Sequence, residues 1–178
     1  MPAAKKPQRR KQNMLDIVPH HNANAEALRR IYAQSLAANP HGFVQDISFH
    51  GDIVAQAEEM DAAGGAFLAA LLGGNTIGFG GLKPDAEDGE ALELCKLHLL
   101  PEYHGRGYGK ALSLALIETA REKSARAVTL HVTATQEAAI GLYERLGFVR
   151  TGQKIYQLET GGGVQDFDTV FMRLNLQG

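Results

Sequence analysis

A chain of 178 residues, 44% of them hydrophobic, is long enough for one ordinary domain with a packed core. A single cysteine excludes an internal disulfide and suits a reducing compartment, and no apolar run approaches the roughly 20 residues that span a bilayer. The net charge of −2 hides an asymmetry: Lys5, Lys6, Arg9, Arg10 and Lys11 stand in the first 13 residues without an acid, leaving 13 basic against 20 acidic residues elsewhere, a balance of −7. Residues 1–13 read as a solvated, disordered tail, since five charges without interleaved aromatics make a weak nucleic-acid site. Residues 14–178 read as one domain. The basic start lacks the apolar segment of a signal peptide, so the expected compartment is the cytoplasm, with neither membrane nor nucleic acid as partner. An acidic body attracts cationic partners and repels polyanions.

In chain order, Leu15 to Val18 alternates as a strand that stops at Pro19. His20-His21 invites a metal reading but has no third ligand at useful spacing, so a loop pair is expected. Asn22 or Asn24 can cap a helix running to about Ala38, with Leu28, Ile31, Tyr32 and Leu36 on one face. An irregular segment carrying Phe43, Phe49 and His50 leads to a second helix, about Asp52 to Met60. Two strands, Ala66 to Leu72 and Thr76 to Leu82, are joined by the hairpin signal Gly73-Gly74-Asn75. Pro84 to Glu90 is a turn holding Asp85, Glu87, Asp88 and Glu90, read as a solvated hairpin tip. Leu92 to Leu100 is a largely buried strand ended by Pro101, and Lys110 to Lys123 has helical spacing. Ala127 to Val132 is a further strand, Thr135 can cap a helix from Gln136 to Leu146, and Gly147 stops it. Phe148 to Leu158 and Phe167 to Leu174 close the chain as a hairpin. The order gives a mixed α/β domain with one parallel crossover.

That crossover contains His104-Gly105-Arg106-Gly107-Tyr108-Gly109, between a strand end and a helix start. Such a loop points several backbone N–H groups at one spot on the positive end of a helix dipole, where an anion such as a phosphate is favoured. It lacks the Gly-Lys-Ser/Thr ending of a nucleotide-triphosphate loop. Its glycine spacing also departs from the Rossmann fingerprint, and no acid follows where a ribose contact would require one.

The combination of two stretches is more specific. Glu93 to Leu112, which contains that loop, and Ala138-Ala139-Ile140-Gly141-Leu142-Tyr143-Glu144-Arg145-Leu146-Gly147-Phe148 lie about 30 residues apart in the right order. Together they resemble the GNAT superfamily of acyl-CoA-dependent N-acetyltransferases. The first matches the (Gln/Arg)-x-x-Gly-x-(Gly/Ala) pyrophosphate loop and the second the Ala-x-x-x-Tyr-x-x-x-Gly-Phe helix. The good match runs from about Phe67 to Gly152. Two departures are visible: His104 replaces the usual Gln or Arg, and Gln136 replaces a frequent Asn. Either side chain can still donate a hydrogen bond.

The resemblance implies a twisted, mostly antiparallel sheet of about seven strands with flanking helices. It implies acetyl-CoA as co-substrate and no metal. The Leu92–Leu100 strand would splay from its parallel neighbour, and pantetheine would lie against the backbone of Leu97, His98 and Leu99. Pyrophosphate would sit on His104, Gly105, Arg106, Gly107, Tyr108, Gly109 and Lys110, with Gln136 also near the coenzyme. A primary amine of pKa about 10 is mostly charged at neutral pH, so a base must take its proton. Glu93 stands fourteen residues before Gly107, where histone-modifying members of the family carry that base. An exposed strand carboxylate, or an ion-pair partner of Lys96, is the other reading of Glu93. Tyr143 is the candidate acid for the departing thiolate, and a backbone N–H near Leu99 the oxyanion donor. Cys95 has no base partner and reads as a small buried strand residue. His98 and His131 read as core or edge residues of their strands.

The acceptor side would be formed by the first two helices, the loop between them and the terminal hairpin, contributing Phe43, Phe49, His50, Tyr156 and Asp166. These residues carry no diagnostic pattern. The acidic body favours a small cationic amine as acceptor. A protein N-terminus or lysine is the alternative, and a non-catalytic acyl-CoA sensor is a third reading. Members of the family commonly pair through the terminal hairpin, so a homodimer is also expected.

Overall fold

A computed structural model describes residues 14–45, 47–160 and 162–177; the expected tail over residues 1–13 lies outside them. The strands are β1 (Leu15–Pro19), β2 (Ala66–Leu72), β3 (Asn75–Pro84), β4 (Ala91–Leu99), β5 (Ala127–Thr133), β6 (Val149–Thr160) and β7 (Gly163–Asn175). The helices are α1 (Ala25–Ala37), α2 (Ile53–Ala62), α3 (Tyr108–Glu122) and α4 (Glu137–Arg145). The strands form one sheet in the order β1-β2-β3-β4-β5-β7-β6. Neighbours are antiparallel except β4 and β5, which are parallel and bridged by α3. The mixed sheet expected from the element order is therefore present.

The sheet is covered on both faces, which is why β2 reads as a continuous apolar run. On one face α3 buries Leu112, Leu116, Ile117 and Ala120 together with Ile140, Tyr143 and Phe148. On the other, α1 and α2 bury Leu28, Ile31, Tyr32, Leu36, Ile53, Ala57 and Met60 against Phe67 and Phe79. Burial of a large apolar side chain contributes about 1.5–3 kcal/mol, so these two clusters supply most of the driving force. Gly78 allows close approach at the site end of the sheet: a Cβ there would lie 2.7 Å from the His98 carbonyl oxygen.

Several local expectations hold, and a few change. Asn24 rather than Asn22 caps α1, accepting from the Ala27 N–H at 2.9 Å. Asp52 caps α2. Gly147, at φ 96, follows α4, and the Phe148 N–H returns to the Tyr143 carbonyl at 3.0 Å while the Gly147 N–H bonds Glu144. That closing pattern packs Phe148 against Tyr143, ring centroids 5.7 Å apart. Thr135 does not cap α4: Gln136 holds that position, and the Thr135 hydroxyl donates to the His41 carbonyl at 3.3 Å. The segment before α2, expected to be irregular, contains a single helical turn at Ile47–His50. The acidic turn is not simply a solvated tip. Asp85 accepts from the Glu87 and Asp88 N–H groups and from Thr129, and Asp88 pairs with Arg173 at 2.8 Å.

Candidate active site

β4 and β5 are paired only at Ala91–Ala127, Leu92–Val128 and Glu93–Thr129. Beyond Glu93 they part, because β5 stays with β7 as far as Thr133 while β4 follows β3. The β3–β4 register slips between Phe79 and Gly81, where Lys96 adopts φ 55. A bulge of this kind bends the strand and re-aims its side chains. The Leu100 N–H donates to Ile77 on β3 at 2.9 Å. Backbone polar groups alternate in direction along a strand, so the Leu99 N–H and C=O face the gap towards β5. The gap thus offers backbone polar groups to an extended ligand.

At the end of β4 the glycine loop turns into α3. Gly105 has φ 71 and Gly107 φ 85, conformations that suit glycine. Gly107 takes the N-cap position without a side-chain cap, and no acid stands in the first turn. The first amides of a fifteen-residue helix are therefore left for a ligand. Arg106 lies over the Tyr103 ring at 5.9 Å, and Tyr103 contacts Tyr108 edge-on. Neither Arg106 nor Lys110 forms an ion pair among the described residues. His104 Nε2 donates to the Leu99 carbonyl at 2.9 Å, tying the strand end to the loop.

A cavity of about 1130 Å³ lies beside the splayed strands, lined by Glu93, Leu97, His98, Gln136 and Tyr143 among others. Five of the residues assigned from the sequence to catalysis or the coenzyme are thus brought to one space, with Phe43, Phe49, His50 and Tyr156 from the expected acceptor side. Leu99 and the 104–110 loop lie outside that lining, along β4 towards α3.

Glu93 is 9% exposed. Its carboxylate is held by Lys83 Nζ at 3.2 Å and His131 Nδ1 at 3.4 Å, so Lys96 is not its partner. Instead Lys96 Nζ donates to the Tyr32 hydroxyl at 2.8 Å. Tyr143 is 6% exposed, and burial pushes its hydroxyl above the ordinary phenol range. It therefore stays protonated at neutral pH, as a hydrogen-bond donor must. Burial pushes the Cys95 thiol up to about 11, which leaves it a poor nucleophile.

His98 is a core residue. Its Nδ1 bonds the Ser35 hydroxyl at 2.8 Å, its ring packs on Tyr32, Phe43 and Phe79, and burial pushes its pKa down to about 3. Its backbone stands opposite Phe79 on β3, turned away from the gap. His131, by contrast, is exposed at the edge of the gap. At the far end of α2, Asp61 Oδ2 lies 3.0 Å from His20 Nε2. The third group that spacing did not provide beside His20-His21 is therefore supplied by the fold, where it is spent on pairing with His20.

The sequence profile of the Acetyltransferase (GNAT) family matches residues 25–148, and the chain belongs to that family. It is 37% identical over 86 residues to the uncharacterized N-acetyltransferase YjgM of Escherichia coli (strain K12), covering 48% of this chain and 52% of that one. It is 35% identical over 109 residues to the N-acetylaspartate synthetase of Danio rerio, covering 61% of this chain and 38% of that protein. The chain thus spans about half or less of these curated relatives. In fold it is similar to yncA, a putative acetyltransferase from Salmonella typhimurium solved with acetyl-CoA, at TM-score 0.76 and 23% identity, covering 93% of this chain and 96% of that one.

Proposed function

We propose that the protein transfers an acetyl group from acetyl-CoA to the primary amine of a small molecule, by direct attack within a ternary complex. The observation that carries this reading is the parting of β4 from β5 beyond Glu93, with Glu93 and Tyr143 lining the cavity beside the gap. Pantetheine would add to β4 through backbone bonds at Leu97 and Leu99. The pyrophosphate would take the free amides at the start of α3, with Arg106 and Lys110 adding positive charge. Glu93 would accept the proton of the acceptor ammonium, directly or through water. The freed lone pair attacks the thioester carbonyl, whose developing oxyanion meets the Leu99 N–H. As the C–S bond breaks, Tyr143 donates to the thiolate.

The aromatic walls of the cavity fit a small acceptor. Phe43 and Phe49 from the α1–α2 connection and Tyr156 and Leu158 from β6 bound the same cavity, whereas a peptide needs an open groove beside the terminal hairpin. The expectation of a purely cationic amine rests on the acidic body alone. The cavity has its own balance, two lysines, Lys83 and Lys96, against Glu59 and Glu93.

A second reading has one observation in its favour. Glu93 already carries two basic neighbours, as a purely structural carboxylate in an acyl-CoA sensor would. Release of free thiol from acetyl-CoA, screened across amines, separates the two. Tight coenzyme binding with no thiol release for any amine would overturn the transferase. A homodimer through the terminal hairpin fits the exposed Val149, Ile155 and Val164, and light scattering tests it. None of the described helices is long and apolar enough to cross a membrane, and we place the protein in the cytoplasm on its cysteine usage.

A further inference from the structure

Lys96 is conspicuous among the cavity residues. It occupies a positive-φ position in the β3–β4 irregularity, a conformation that costs a non-glycine residue energy and persists only where the surroundings impose it. Its ammonium is fixed at one end, 2.8 Å from the hydroxyl of Tyr32 and 5.3 Å from that ring's centroid. Tyr32 is itself 2% exposed and packed in the core, so the anchor does not move. One of three N–H donors is used there. No carboxylate lies within 4.0 Å of Lys96 among the described residues, whereas the cavity's other lysine, Lys83, is matched by Glu93 at 3.2 Å. The cavity's remaining acid, Glu59, is an exposed residue of α2. Burial holds the Lys96 ammonium below its ordinary range, as a partly desolvated cation lacking a counter-ion would be.

We infer that Lys96 binds a carboxylate of the acceptor, so that the substrate is a primary amine bearing a carboxylate, as an amino acid does. This rests on the transferase reading above. Glu93 and Lys96 stand three residues apart on one strand and line one cavity. They offer an anion for the ammonium and a cation for the carboxylate of the same molecule. A polyamine would bring like charge to Lys96 with nothing to pair it, a cost that selects against it. The charge of the molecular surface and the charge at the site therefore point to different acceptors.

The test compares each of a series of amino acids with its carboxamide, using thiol release for turnover. In parallel, calorimetry measures binding of the N-acetyl amino acid and the N-acetyl amide to the CoA-loaded protein. The wild-type protein should prefer the carboxylate in both assays. Lys96→Met should lower that carboxylate-over-amide ratio about 10–100-fold, the size of a lost hydrogen bond to a charged group, mainly through KM and Kd. Lys96→Arg should restore part of it. Thermal melting of Lys96→Met verifies that the fold is kept. Equal handling of acids and amides by the wild type, or a loss in Lys96→Met that is the same for both, would overturn the assignment. If no amine gives thiol release the transferase reading fails, and the binding comparison still decides the role of Lys96.

Discussion

Tyr143 and Glu93 face the same cavity but are held in different ways. Tyr143 is fixed by packing, between Phe148 and the sheet, and its hydroxyl has no hydrogen-bond partner among the described residues. Tyr143→Phe should therefore cost little stability and no coenzyme affinity while lowering kcat by about 100-fold or more, the usual scale of general-acid help. Steady-state kinetics with acetyl-CoA binding measured separately checks this; weaker binding with kcat intact would refute the role. His98 gives a pH prediction. Its pKa falls from about 6.5 in an unfolded chain to about 3 in the fold, so between those values the unfolded state binds the extra proton. Stability is full above pH about 6.5 and declines as pH falls towards 3, by up to about 1.4 kcal/mol per pH unit. Urea titrations at several pH values should show a shallower acid decline in His98→Gln, which can keep a bond to Ser35.

The elements that make the site are a strand with an irregularity and a helix with an open start. Gly78 stands opposite Leu99, and a Cβ there would press on the His98 carbonyl. Gly78→Ala should destabilise the protein by about 1–3 kcal/mol, as overpacking does, visible as a lower melting temperature. The substitution also shifts the backbone that would face the thioester, so kcat should fall with it. Gly107 is different: a Cβ would meet nothing within 4 Å, and only its φ of 85 restricts it. Gly107→Ala should cost about 1 kcal/mol of stability and weaken acetyl-CoA binding, because the strain falls on the amides that would hold the pyrophosphate. Calorimetry on the variant tests this, and unchanged coenzyme affinity would remove the loop from the proposed site.

For the whole molecule, the coenzyme would bridge β4, the α3 start and the β5–α4 junction, all of which separate on unfolding. A ligand at 100 times its Kd adds about 2.7 kcal/mol, which for a chain of this size raises the melting temperature by roughly 5–10 °C. Acetyl-CoA should do so in a thermal-shift assay, and adenosine alone much less.

How much of this the sequence contained follows from the range of the interactions involved. Strand alternation, helix spacing and the Gly147 stop act within a few residues, so they could be read directly, and the cap of the first helix was narrowed to Asn22 or Asn24. The glycine loop and the Tyr143 helix each carry their own local geometry, which is why the family was recognisable. Gln136 in place of Thr135 as a cap was missed because Thr135 turns to His41, a partner 94 residues away. The same holds for the charges of the cavity. Glu93 and Lys96 are near neighbours on one strand, and an ion pair between them was one reading of the sequence. The bulge instead sends Lys96 to Tyr32, 64 residues distant, and brings Lys83 and His131 to Glu93. By itself the sequence determined the element order and the glycine loop between strand and helix, because those depend on periodicity and local turn chemistry. Only the tertiary structure decided which charges meet and which cavity lysine is left without a carboxylate among the described residues, because electrostatics depends on distance in space and not along the chain.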